Sequence, residues 1–330
     1  VAPAMAKAST QSKSGSATKR KGKKKRGPRK VIVLPNQVIF GSVRIAHRRY
    51  LLRPTREMKQ AFTYFVAYCA EKWNVAVYAL CVMSNHYHPV IKDRDGVHPH
   101  FFRDLNRMTA QYIKATYNTR GQVFRPKPNR VVCLHPEAIV DKIAYTLANP
   151  VSAGAVRYPE EWPGLRSRID DMGRTTWTAK RPEAFFGKRR TLPATASLTL
   201  SFPEELETHY GSREAAKHAL KERLDHHVKN AQAQVRQKGW RYLGAERAAK
   251  QDPFKQARSW EVFDTLVPAF ATRGLSHEER IRAKQTYRAW HDAYDECRRR
   301  FLEGEANVVW PAGTWAMVQH FGQKAEAPPS

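Results

Sequence analysis

His86 and His88 stand one residue apart in the run Cys81–Lys92, CVMSNHYHPVIK. A strand alternates its side chains, so both imidazoles leave on one face and Tyr87 on the other. Roughly 6–7 Å apart, they can reach one cation. The alternative is two unrelated core or surface histidines. A structural zinc site lacks a third and fourth soft ligand at suitable spacing. The segment from Pro136 to Asn149 offers what the histidines would need. On a helical wheel Ile139, Val140, Ile143, Ala144 and Leu147 form one apolar arc, and Tyr145 lies almost opposite it. Asn149 follows one turn later, so its amide oxygen and the Tyr145 phenol share a face. Set against the histidine strand, two imidazoles and an amide oxygen would surround a divalent metal, Mg or Mn, with a phenol beside it. Such a set suits a metal-held phosphate attacked by a tyrosine oxygen.

The elements that must position these groups are legible in the pattern. Asn36–Ile45 reads as a strand, followed by the basic turn His47-Arg48-Arg49. Pro54 opens a helix in which Met58, Phe62, Phe65, Val66 and Cys69 recur at helical spacing up to Trp73. Val75–Met83 is apolar throughout, as expected of a strand covered on both faces. The histidine strand comes next, and Pro89 inside it predicts a bulge or a sheet edge. A second helix is expected over roughly Pro99–Tyr117, a short strand over Arg130–Leu134, and a third helix that Pro150 stops at Asn149. The order β-α-β-β-α-β-α predicts an α+β fold, a small antiparallel ferredoxin-like sheet flanked by helices. The expected organisation is a disordered basic tail over 1–30, this core over 31–175, a proline-rich linker over 176–204 and a mostly helical accessory domain over 205–330. In the last, one helix follows Ser212 and ends at Gly239, and another spans about Ser276–Leu302.

The motifs MSNHYH (Met83–His88) and YTLANPVSAGAV (Tyr145–Val156) together resemble the single-tyrosine HUH transposases, closest to the REP-associated tyrosine transposases. The likeness spans about residues 35–168 and takes in YNTRGQVFRPK (Tyr117–Lys127) and YPEEWPG (Tyr158–Gly164). It implies His86 and His88 as metal ligands, Asn149 as a third, and Tyr145 as the nucleophile. It also implies an antiparallel sheet flanked by helices, and divalent-metal-dependent cleavage and rejoining of single-stranded DNA beside a hairpin through a 5′-phosphotyrosine. One tyrosine holds one covalent strand at a time, so strand exchange calls for a homodimer or reuse of one site.

Other residues compete for these roles. Tyr112 falls on the stripe Phe101, Leu105, Met108 and is expected to be buried; Tyr117, at a helix end, is expected to be structural. His98, His100 and His135 read as polar loop residues, and His226 and His227 as solvated on a basic helix. Arg44, Arg48, Arg49, Arg125, Lys127 and Arg130 fall at or near strand ends and are candidates for phosphate contacts. Lys142, three residues before Tyr145, is a candidate for assisting the phenol.

The net charge of the 330 residues is +28. Residues 1–30 hold eleven Lys and Arg and no acid, which leaves +17 on the other 300. A polyanion is the partner such a surface attracts, and the tail should add sequence-independent affinity. No apolar run approaches the ~18 residues of a membrane span. Cys69, Cys81, Cys133 and Cys297 form no C-x-x-C pair, and no hydrophobic signal segment is apparent, so a cytoplasmic, nucleoid-associated protein is expected. Three other classes share parts of this pattern. A domesticated DNA-binding protein that no longer cuts would not need His86, His88 and Tyr145. A replication-initiator or relaxase-type nickase would share the chemistry on another substrate. An RNA-binding sheet would carry a paired surface-aromatic motif that these strands lack.

Overall fold

The computed structural model describes residues 30–126, 128–257 and 268–328. Residues 1–29 of the basic tail and Lys127 lie outside them. Seven elements occur in the expected order: β1 (Gln37–Arg44), α1 (Arg56–Lys72), β2 (Val75–Val82), β3 (His86–Asp93), α2 (His98–Tyr117), β4 (Asn129–Cys133) and α3 (Pro136–Ser152). Local chemistry sets their ends. Thr55 Oγ1 accepts from Met58 N at the start of α1, and the Asp93 carboxylate accepts from the backbone N–H groups of Val97 and His98 at the start of α2. Helix α3 continues past Asn149 because Pro150 sits in its last turn, where one missing donor is tolerated. Gly154 then closes it at φ +65°, with Ala155 N donating to Pro150 O and Gly154 N to Val151 O. This is a Schellman motif, which a glycine serves without strain.

The strands form one sheet in the order β2-β3-β1-β4, antiparallel, to which a short β7 (Phe270–Ala271) adds in parallel beside β4. The fold is therefore α+β. Helices α1 and α2 pack on one face with Ile39, Val43, Tyr87 and Ile91. Helix α3 covers the other, over Val38, Phe40, Tyr78 and Val90. Residues Val75–Val82 are all buried, as their composition requires.

Strand β3 is neither bulged at Pro89 nor at an edge; it lies between β2 and β1, and the register shift falls in β2 between Val77 and Ala79. Ile45 N donates to Asn85 O, so odd-numbered residues of β1 occupy the hydrogen-bonded positions of the ladder. Between the pairs Phe40–Val90 and Val43–Tyr87, Pro89 falls opposite Gly41 without a donor to offer. The Gly41 carbonyl accepts instead from His88 Nδ1, at 3.1 Å. Gly41 is itself required: a Cβ there would lie 2.8 Å from Phe102 Cζ and 3.0 Å from Pro89 Cδ. Gly41→Ala should cost about 1–3 kcal/mol through overpacking, read as a lowered midpoint in a thermal melt.

The second half of the chain departs from expectation. Residues 176–204 are not a linker. Strands β5 (Thr176–Lys180) and β6 (Thr195–Thr199) pair as an antiparallel hairpin, and Ala179, Phe186, Ala196 and Leu198 join the core beneath α1. Helices α4 (Glu204–Tyr210) and α5 (Arg213–Gln237) follow, and Leu206, Ala216 and Leu220 share the core of α3. The described residues from Ile32 onward form one compact unit in place of the expected core and separate accessory domain. After the short α6 (Ala245–Ala249) and β7 come α7 (His277–Leu302), β8 (Val309–Trp310), α8 (Trp315–Phe321) and β9 (Lys324–Ala325). Cys297, Val308, Trp310 and Met317 make a small core of their own there. The four cysteines are buried and unpaired with one another. Among the described residues no helix is long and apolar enough to cross a membrane.

Candidate active site

The site forms where β3 meets α3. His86 and His88 share the face of β3 that α3 covers, their ring centroids 4.9 Å apart. His88 is 3% exposed and Asn149 5%. Phe40 of β1 stacks on His88 at 5.2 Å and meets the Tyr145 ring edge-on at 5.6 Å. The His88 and Tyr145 rings are also edge-on, at 5.6 Å. Asn149 Oδ1 lies 2.9 Å from His86 Nε2. Four residues from two elements thus meet as their spacing predicted.

Each imidazole has an orienting partner on Nδ1. His88 Nδ1 donates to the Gly41 carbonyl, which leaves Nε2 with its lone pair. Burial, with the positive charges of Arg44 and Lys142, holds the His88 pKa well below the usual imidazole range despite that bond. The ring is neutral and fit to be a ligand. His86 Nδ1 is 2.7 Å from Asn85 Oδ1. The Asn85 amide is oriented by its Nδ2, which donates to Arg48 O at 3.4 Å, so its oxygen faces the ring and His86 Nδ1 carries the proton by this network. His86 Nε2 lies 2.9 Å from Asn149 Oδ1, with the donor in this contact set by the ring's tautomer. Two imidazoles and an amide oxygen converge here, a donor set that fits a divalent metal. No group of three His, Cys, Asp or Glu able to hold a metal occurs among the described residues; a third donor here must be the amide.

The candidate cations divide into those at the site and those elsewhere. Arg44 pairs with His86 across the ladder, and Arg125 N donates to Arg44 O, so both lie at this end of the sheet. Arg48 enters through its carbonyl contact to Asn85, in a turn where His47 and Arg48 both have φ +56°. Arg49 pairs with Gln256 in an isolated bridge. Lys142 Nζ lies 5.9 Å from the Tyr145 ring centroid and 5.7 Å from that of Phe40. Arg130 is on the wrong face: its register partner is Gly41, and its guanidinium sits 5.9 Å over Phe102, beneath α2. Burial there pulls its pKa down to about 10.

The rival groups have other work. Tyr112 is buried in the α1–α2 core, and Tyr117 packs against Phe254 and Arg53. His135 caps α3 by accepting from Glu137 N. His98 and His100 are helical rather than loop residues. His98 is buried against Asp93 at 2.7 Å, and His100 stacks on Trp73 at 4.6 Å.

His227 is not simply solvated. Its Nε2 lies 3.1 Å from Asp141 Oδ1, and its ring stands edge-on to Tyr145 at 6.2 Å. Arg223, one turn earlier on α5, donates to the same oxygen through Nε at 2.8 Å and through Nη2. Asp141 is one turn before Tyr145, so its place on the same face as Tyr145 could have been found from the spacing of four alone. Burial would raise the Asp141 pKa, but the hydrogen bonds from His227 and Arg223 and the charges of Lys142 and Arg223 outweigh it and hold the carboxyl well below its usual range. A depressed acid stabilises the fold above its unfolded pKa of about 3.9 and loses that contribution as pH falls through the folded value. Asp141→Asn should therefore cost about 2 kcal/mol near neutral pH. In thermal melts the gap from wild type should stay constant above about pH 5 and narrow below pH 4.

No protein-family profile matches the chain, and neither does any curated protein. Solved structures similar to it include a REP-associated tyrosine transposase bound to a REP hairpin, at 15% identity and TM-score 0.39, covering 45% of this chain and 87% of that one. Another, assigned as a transposase of Deinococcus radiodurans R1, is 18% identical with TM-score 0.25, over 32% of this chain and 84% of its own.

Proposed function

We propose that the chain is a transposase-type enzyme that cuts and rejoins single-stranded DNA beside hairpin elements, with a divalent metal and Tyr145 as nucleophile. The observation that carries this reading is the convergence of Tyr145 and Asn149 from α3 on His86 and His88, with each histidine oriented through Nδ1. His86, His88 and Asn149 are the residues that would hold the metal, which when bound supplies polarisation of the scissile phosphate.

The chain's own residues do the rest. Tyr145 must lose a proton from a phenol of ordinary pKa near 10 as its oxygen attacks. The Lys142 ammonium beside the ring favours the phenolate electrostatically. The new bond joins the tyrosine oxygen to phosphorus while the bond to the leaving 3′ oxygen breaks, which leaves a 5′-phosphotyrosine and, once that oxygen is protonated, a 3′ hydroxyl. Attack by a 3′ hydroxyl on the phosphotyrosine reverses the step and joins strands. Arg44, Arg48 and Arg125, at the same end of the sheet, suit the flanking phosphates.

The test is to incubate the protein with end-labelled single strands carrying a hairpin, in Mn²⁺, and look for a covalent adduct by denaturing gel. An adduct mapped to Tyr145 with a 5′ phosphate supports the reading. Tight binding without adduct, across Mg²⁺ and Mn²⁺, would make the chain a DNA-binding protein that does not cut.

A further inference from the structure

Beyond the cleavage centre, the end of α3 carries a second feature. Trp240 is the one described tryptophan that stands exposed, at 50%, and Tyr158 is exposed at 47%. Each carries a cation on its ring: Lys238 Nζ is 4.5 Å from the Trp240 centroid, and the Arg157 guanidinium 5.6 Å from that of Tyr158. Tyr242 stands within the field of Arg157, Arg236 and Tyr158. The patch is held in shape by its backbone. Leu243 N donates to Gly154 O, Gly244 N to Ala155 O and Trp240 N to Val235 O, and Gln232 Nε2 donates to Arg157 O. Glu161, the acid beside it, is occupied in capping Arg157 N and Tyr158 N. The indole packs part of its ring towards Gly154, where an added Cβ would lie 3.9 Å from Trp240 Cε3, and leaves half of its surface open to a partner.

We propose that Trp240, with Tyr158, is a stacking platform for unpaired DNA bases flanking the cut site, and that Lys238 and Arg157 take the phosphates between them. Exposed aromatics interleaved with cations bind single strands of any sequence, because every base has a π-face. The place fits: Gly154, which the Trp240 ring approaches and to which Leu243 is bonded, lies five residues beyond Asn149, about 7–8 Å at the rise of a helix. The flank as occupant rests on the cleavage reading above; the platform's affinity for single strands does not.

The test uses the full chain in EDTA, so that no cleavage is needed, and reads anisotropy of a labelled hairpin with or without an unpaired flank. Trp240→Ala should weaken binding of the flanked hairpin roughly 5- to 100-fold, one stacked base's worth, and leave the blunt hairpin unchanged. The slope of log Kd against log salt should not move, since no phosphate contact is lost. Trp240→Phe should restore most of the affinity, and Lys238→Ala should lower the slope. Equal affinity of Trp240→Ala and wild type for the flanked hairpin would overturn the platform, as would an equal loss on the blunt one. Tighter binding of the matching RNA would overturn the assignment to DNA. If wild type forms no adduct in Mn²⁺ yet the Trp240 defect is present, the platform stands and the cleavage reading falls. An adduct with a silent Trp240→Ala gives the reverse.

Discussion

Tyr145→Phe is expected to form no covalent adduct with single-stranded DNA at any Mg²⁺ or Mn²⁺ concentration, yet to bind hairpin-bearing strands as wild type does. The variant removes one oxygen and keeps the ring that packs against Phe40, His88 and His227, so its stability should stay within about 1 kcal/mol. The ligand variants fail in another way. Under the proposed mechanism, His88→Ala should take away a metal donor that the Gly41 carbonyl orients, and cleavage should fall because the phosphate is no longer polarised. Excess Mn²⁺ should then recover part of it. Asn149→Ala should be milder, since water can replace one oxygen ligand on a hard cation. Denaturing gels with peptide mapping distinguish these cases. An adduct on Tyr112 or Tyr117, or residual adduct in Tyr145→Phe, removes Tyr145 from the role.

A fragment ending at residue 175 is expected not to fold, whereas one ending at 257 should. The first cut uncovers α3 where Leu206, Ala216 and Leu220 pack on it, and uncovers α1 where the β5–β6 hairpin lies. At about 1.5–3 kcal/mol for each large side chain left exposed, the loss rivals the 5–15 kcal/mol of a whole domain. The second cut gives up the separate small core around Trp310 and the β7 edge, and leaves the histidine sheet covered on both faces. Circular dichroism melts of both fragments check this: a cooperative transition in the 32–175 fragment would show that α4 and α5 are dispensable.

The core was legible because its elements are contiguous and each carries its own period. The period of two in β3 places His86 and His88 together, and the 3.6 period of α3 turns Tyr145 and Asn149 to one side. What escaped depends on partners far along the chain. The face of Arg130 follows from the register of β4 on β1, and a sheet covered on both sides shows no polar alternation to reveal it. The hairpin strands TWTAK and TASLT are short and half polar, and Pro182 and Pro193 lie in the loop joining them, so the stretch resembles a linker. His227 and Arg223 meet an aspartate more than 80 residues away, and their own helix gives no sign of it.

The proline of β3 has a wider meaning for how this site can vary. An ordinary residue at 89 would return an amide to the ladder, and the Gly41 carbonyl, with two lone pairs, would divide itself between that amide and His88 Nδ1. With Pro89 in place the imidazole is the donor that this carbonyl receives from β3, so the orientation of a ring in the site is set in part by a neighbour that points to the opposite face of the sheet.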